Sequence, residues 1–187
     1  MRKVLYSICI IGICILVSGC KESEEEILEE SNMSDNVKVS YDFYSFLQSP
    51  EATEKQDASQ IIKLVVTKNE GVQDETIVLD LEHEEIIIDP WMSSYGINSE
   101  GDTQSFDDKE EILHILETYD VQEWKDDYTT EDPASYQDGV GWNVWLQYED
   151  GTVQSHKGSG SGLEQITPEG FADFFNALEK FVEEHLK

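Results

Sequence analysis

The chain has 187 residues, of which 41 are Asp or Glu against 12 Lys or Arg, for a formal net charge of −29 at pH 7. So negative a surface repels phosphate backbones and anionic headgroups, which argues against nucleic-acid binding and against electrostatic adhesion to a membrane. The length suits one folded domain plus accessory segments, and because Cys9, Cys14 and Cys20 all lie near the N-terminus, the rest of the chain folds without a disulfide.

Arg2 and Lys3 precede an apolar run, Val4 to Val17, that is too short and wrongly flanked for a stable membrane span. The run ends Leu16-Val17-Ser18-Gly19-Cys20. Small residues directly before a cysteine resemble the lipobox of bacterial lipoprotein signal peptides. That resemblance implies cleavage after Gly19, a diacylglyceryl thioether on Cys20, and attachment to the extracytoplasmic face of a bacterial cell membrane. Two acyl chains anchor stably where one is marginal. The plainer alternative is an ordinary secretory leader with a chance cysteine. Lys21 to Asn36 (KESEEEILEESNMSDN) is too polar to offset its ordering entropy and reads as a tether. The expected organisation is therefore a signal peptide at 1–19, the lipidated cysteine and acidic tether at 20–36, and one domain at 37–187.

Val37 to Leu47 alternates at Val37, Val39, Tyr41 and Phe43, which predicts a first strand. Pro50 to Ser59 reads as a polar loop. Gln60 to Thr67 is rich in β-branched residues and predicts a second strand. Glu75 to Leu81 alternates Ile77, Leu79 and Leu81 against Thr76, Val78 and Asp80, and Glu85 to Asp89 is a short strand ended by Pro90. Neighbouring strands of this kind usually pair in sequence order, giving an antiparallel meander. Trp91 to Thr103 reads as irregular. A helix follows, with Ser105 or Asp107 as candidate cap and Ile112, Leu113, Ile115, Leu116 and Tyr119 on one face. It ends near Asp120, and Val121 and Trp124 are expected to fold back on the core.

The clearest local signal is Gly139–Lys157. Trp142, Val144, Leu146 and Tyr148 alternate, Asp150-Gly151 follows, and a second extended run returns from Thr152. Asp-Gly between such runs predicts a two-residue hairpin turn with both residues at φ > 0. Gly158 to Gly162 is flexible by composition. The last helix is expected to start with Thr167 as N-cap and Pro168 at its first position, with Phe171, Phe174, Phe175, Leu178, Phe181, Val182 and Leu186 along one stripe. The fold class is α+β: an antiparallel meander, a helix, a β-hairpin, and a C-terminal helix packed on one face of the sheet.

Candidate chemistry is sparse. His83, His114, His156 and His185 form no metal-ligand spacing. Asp126-Asp127, Glu131-Asp132 and Asp138 in the acidic loop 125–138 could hold calcium weakly, but lack the tight turn that fixes several oxygens, so a solvated loop is the plainer reading. The Gly-Ser segment has its serines out of place for a nucleophile elbow, and no phosphate loop is present. No nucleophile, base and stabiliser can be named together, so catalytic and metal residues are expected to be none and no cofactor is implied. The aromatic residues say more. Trp145 sits on the strand face opposite Trp142, with Asn143 and Gln147 for company. With Trp91, Tyr95 and Trp124 in loops, it could form a shelf for a sugar or a peptide. Burial of Trp145 under the loop 121–138 is the competing reading.

Trp124, Asp138-Gly139, the run Trp142-x-Val144-x-Leu146-x-Tyr148-x-Asp150-Gly151, Gly158, Pro168 and the aromatic-rich last helix together resemble a group of uncharacterised lipoproteins from Gram-positive, gut-type bacteria. The likeness covers about the last third of the chain, and implies no activity. The reading is a lipid-anchored, non-enzymatic recognition domain for an envelope ligand. The alternatives are an immunity-type inhibitor that lures a basic toxin with its acidic surface, or an envelope hydrolase whose carboxylates sequence cannot pick out.

Overall fold

A computed structural model describes residues 49–71, 74–93, 96–98, 102–130 and 139–186, with the backbone alone for 91–98. The candidate strand at Val37–Leu47, the tether and Cys20 lie outside the described residues. Eight strands are described: β1 (Ile61–Asn69), β2 (Asp74–Asp80), β3 (Glu85–Ile87), β4 (Trp91–Ser93), β5 (Gly96–Asn98), β6 (Thr103–Ser105), β7 (Val140–Tyr148) and β8 (Val153–Gly160). The helices are α1 (Lys109–Thr118), α2 (Leu163–Ile166) and α3 (Phe171–His185), with 3₁₀ turns at Ala58–Gln60 and Val121–Glu123.

Six strands form one sheet in the order β6-β3-β2-β1-β7-β8, every neighbour antiparallel. The α+β expectation holds. β1 is the hinge of the topology: it pairs with β2 on one side and with β7 on the other. The meander thus grows outward from one edge of β1 and the hairpin from the other. The 91–103 stretch is more ordered than its composition suggested. β4 and β5 make a small two-stranded ribbon, and β6 adds to the edge of β3.

Period-two alternation sorts the sheet into two faces. One carries Leu64, Val66, Ile77, Leu79, Trp142, Val144, Leu146 and Tyr148, all buried in the main core with α1 and α3. Phe174 and Val144 are both fully buried. The predicted stripe of α3 is buried from Phe171 to Phe181, while Leu186 is 43% exposed. At the heart of this core an aromatic cluster joins three elements: ring centroids are 4.7 Å apart for Trp142–Phe171, 5.2 Å for Trp124–Phe174 and 5.9 Å for Trp124–Trp142.

Four local expectations are corrected. First, the hairpin turn is longer than two residues. Gly151 N–H donates to the Tyr148 carbonyl, Tyr148 N–H donates to the Thr152 carbonyl, and only Gly151 has positive φ, at 82°. This is the three-residue loop with a glycine bulge rather than the mirror-image turn. Second, α1 is capped by Asp108, whose carboxylate accepts from Glu111 N–H at 3.1 Å, not by Ser105 or Asp107. Third, α3 starts after Gly170 (φ 83°), because Pro168–Phe171 makes a turn closed by Phe171 N–H on the Pro168 carbonyl. The Thr167 hydroxyl caps nothing; it donates back to the Leu163 carbonyl. Fourth, Gly158, Ser159 and Gly160 are strand, not flexible linker. A Cβ on Gly158 would sit 2.2 Å from the Ile166 carbonyl oxygen and 2.5 Å from Trp142 Nε1. Glycine is there to let α2 and the Trp142 indole approach the strand.

Candidate functional site

The structure separates the aromatic residues that the sequence grouped. Trp124 is 8% exposed, packs in the helix-side core, and donates from Nε1 to the Tyr119 carbonyl. Trp145 is also 8% exposed, but pairs in register with Val65 on the opposite face. A shelf that includes both is therefore ruled out by the sheet that lies between them. Trp91 begins β4, and its side chain, like Tyr95, lies outside the description. Trp145 is better read as part of a second buried band: Val65, Val78 and Trp145 share one cross-strand row, and all three are buried although none belongs to the main core.

The next row along that second face is polar. Thr76 pairs with Thr67, and Thr67 with Asn143. These three side chains are half-buried and floor a cavity of about 290 Å³, walled by Asn69, Asp74 and Pro90. That volume is near the lower end of the roughly 300–1,000 Å³ of small-molecule sites. Asn143 Nδ2 donates to Thr67 Oγ1 at 3.1 Å. The Thr67 hydroxyl proton and the Asn143 carbonyl are thereby left for another partner. The Thr76 hydroxyl makes no hydrogen bond among the described residues.

The one basic side chain at the cavity is already paired. Lys68 Nζ pairs with Glu75 and lies 4.2 Å over the Phe175 ring, on the helix side of the sheet. Asn69 Nδ2 donates to Asp74 Oδ1, and Asn69 Oδ1 accepts from Gly71 N–H, which locks the β1–β2 end. The second Asp74 oxygen has no partner among the described residues. The floor therefore offers neutral donors and acceptors in a strongly acidic protein.

No protein-family model matches the chain, and no curated protein or solved structure matches it either. The site has to be read from its own geometry.

Other clusters are accounted for by structure. Asp80, Glu82 and His83 each bring a ligand atom within 4.8 Å of the others. Asp80 is nevertheless committed: it accepts from the backbone N–H of Glu82 and His83 and pairs with His83 Nδ1 at 3.0 Å. It fastens the β2–β3 turn, and the hydrogen bond to Asp80 raises the His83 pKa. His114 is exposed on α1, and His185 Nδ1 bonds the Phe181 carbonyl at 2.8 Å. His156 is fully buried, with Nδ1 donating to the Lys125 carbonyl at 3.1 Å and Nε2 unpartnered among the described residues. Burial lowers its pKa, against the raising effects of the Lys125 carbonyl and Asp126. Of the acidic loop 125–138, residues 125–130 are described. Asp126 and Tyr128 bond the Lys157 backbone, so this part runs beside β8. A second hollow of about 250 Å³ lies between residues 51–55 and Gln122, Asp126 and Gln154.

Sequence reasoning noticed Asn143 only as company for Trp145 and passed over Thr67 and Thr76. Their signal was present: two threonines on the wet side of consecutive strands, with an asparagine on the same side of a third. Recognising it required the register of β1 against β7, and those strands are some 75 residues apart in the chain.

Proposed function

We propose that this protein is a recognition domain held to the extracytoplasmic face of a bacterial cell membrane by lipid on Cys20, working by binding rather than by catalysis. The leader, the run Leu16–Cys20 and the likeness to uncharacterised lipoproteins support the anchoring. The observation that carries the binding role is the neutral, half-buried hydrogen-bonding floor of Thr67, Thr76 and Asn143 on the sheet face away from α1 and α3. The helix side is filled by packed aromatic rings, whereas this side keeps polar groups open to a partner. With the ligand carried on the envelope and the domain tethered to the membrane, the tether raises the effective concentration of one for the other.

Two experiments test this reading. Cells producing the chain with Cys20→Ser should release it and take up no labelled fatty acid at this protein; membrane retention of the variant would remove the anchor. Purified protein should retain envelope fractions, and Asn143→Ala together with Thr76→Val should release them without loss of fold. Retention that ignores both substitutions but falls steeply with salt would instead favour a cationic protein partner.

A further inference from the structure

We propose that the cavity floored by Thr67, Thr76 and Asn143 takes a neutral sugar ring, free or at the end of an envelope glycan. This rests on the binding role proposed above and names its ligand class.

The argument is one of charge and hydrogen-bond balance. An anion is disfavoured, because the protein carries a net charge of −29, the Asp74 carboxylate stands at the rim, and the lining Lys68 is already paired with Glu75. A cation finds a single carboxylate, Asp74, at the exposed rim and no charge on the floor, because Glu75 is paired with Lys68. A purely apolar ligand would strand the polar floor: Thr67, Asn143 and Thr76 would lose water and gain nothing, and an unsatisfied buried group costs about 1–3 kcal/mol. What remains is a neutral molecule rich in groups that both donate and accept.

Sugar hydroxyls have that property. One hydroxyl can accept from Thr67 Oγ1–H and donate to the Asn143 carbonyl. These two groups are held together by the Asn143 Nδ2 to Thr67 Oγ1 bond, so their relative placement is set before the ligand arrives. Thr76, on the neighbouring strand and in register with Thr67, reaches the next hydroxyl around the ring. The second oxygen of Asp74 at the rim accepts a third. Pro90 gives the cavity an apolar wall for C–H groups of the ring. No covalent step is involved.

The test is titration calorimetry on purified full-length protein with glucose, galactose, mannose and N-acetylglucosamine, and with neutral oligosaccharides ending in each. Glucuronic acid and glucosamine serve as the anionic and cationic probes. At least one neutral sugar should bind, both charged forms of that sugar more weakly, with little dependence on salt. Asn143→Ala and Thr76→Val should each weaken binding about three- to tenfold, the worth of one neutral hydrogen bond, with the melting temperature lowered by no more than about 5 °C. Tighter binding of the oligosaccharide than of its terminal sugar would identify a glycan end as the source, and equal binding a free sugar. The inference falls if no neutral sugar binds, if glucosamine binds best, or if Asn143→Ala binds as wild type. Should all sugars fail while Asn143→Ala and Thr76→Val still release envelope fractions, the ligand class is wrong and the binding role survives. If the two substitutions change neither readout, both are lost.

Discussion

Replacing Gly158 with alanine tests how the hairpin, α2 and the core are joined. Gly158 faces Trp142 across β7 and β8. The Trp142 indole N–H donates to the Ile166 carbonyl at 2.7 Å, in the buried interior. An added Cβ would lie 2.2 Å from that carbonyl oxygen and 2.5 Å from that nitrogen, and so would press on donor and acceptor together from one side of the bond. Ordinary carbon contacts begin near 3.5 Å, so both partners, or the strand itself, must move by about 1 Å. Neither is the free end of a flexible chain: one is backbone, the other a ring held by Phe171, Trp124 and Tyr128. Losing the bond inside the core costs about 1–3 kcal/mol, and overpacking adds about 1–3 kcal/mol. Gly158→Ala is expected to destabilise by about 2–6 kcal/mol in urea unfolding followed by tryptophan fluorescence. Gly162→Ala is the control. Nothing lies within 4 Å of its Cβ position and its φ is −154°, which alanine adopts freely; it should stay within about 1 kcal/mol of the parent, because a less favoured N-cap for α2 is offset by the stiffer unfolded chain. A cost for Gly158→Ala under about 0.5 kcal/mol would refute the reasoning, since so small an effect belongs to a surface site.

The remaining predictions concern single side chains. Trp145→Ala should lower stability by about 3–5 kcal/mol, the usual cost of truncating a buried tryptophan; an unchanged urea midpoint would return Trp145 to the role of an exposed ligand contact. Because burial depresses the His156 pKa, the unfolded chain takes up a proton near pH 6.5 that the folded chain refuses. The stability His156 contributes is therefore fully present above about pH 6.5 and lost as the pH falls below it. His83 has the opposite sign: its pKa is raised by Asp80, so its contribution is present below about pH 6.5 and fades as the pH rises through its folded value. Unfolding free energy measured from pH 7.5 to 5 should fall less steeply in His156→Gln than in the parent chain, and more steeply in His83→Gln. Parallel curves would show that neither histidine senses its surroundings as described.

The fold was legible wherever one face of an element is buried and the other is wet. Val144 and Leu146 in β7, Ile77 and Leu79 in β2, and Phe171 to Phe181 in α3 gave their positions away by spacing, because period two and period 3.6 are imposed by backbone geometry. Boundaries that depend on local rivals were harder to read. Thr167-Pro168 has every mark of a helix start, yet the fully buried Ile166 and the turn at Gly170 delay the helix by three residues. Gly158 to Gly160 looked loose because sequence shows the missing side chains but not the Trp142 indole and Ile166 that occupy their space. Joining Trp124 and Trp145 in one shelf failed for a related reason: both are large and both buried, but they lie on different sides of one sheet, and only tertiary packing decides which. The polar cavity depends on β1 being the common neighbour of β2 and β7, a long-range pairing that no local pattern announces.

The proposed ligand site lies on the sheet face away from α1 and α3, beside the buried row of Val65, Val78 and Trp145. The most direct measurement is the amide NMR spectrum of the full-length protein during titration with a neutral oligosaccharide. The account predicts shifts confined to Thr67, Thr76, Asn143 and their strand neighbours, with α1 and α3 unchanged. Shifts centred on α3, on residues 51–55 or on 125–130, or a spectrum that does not respond, would contradict it.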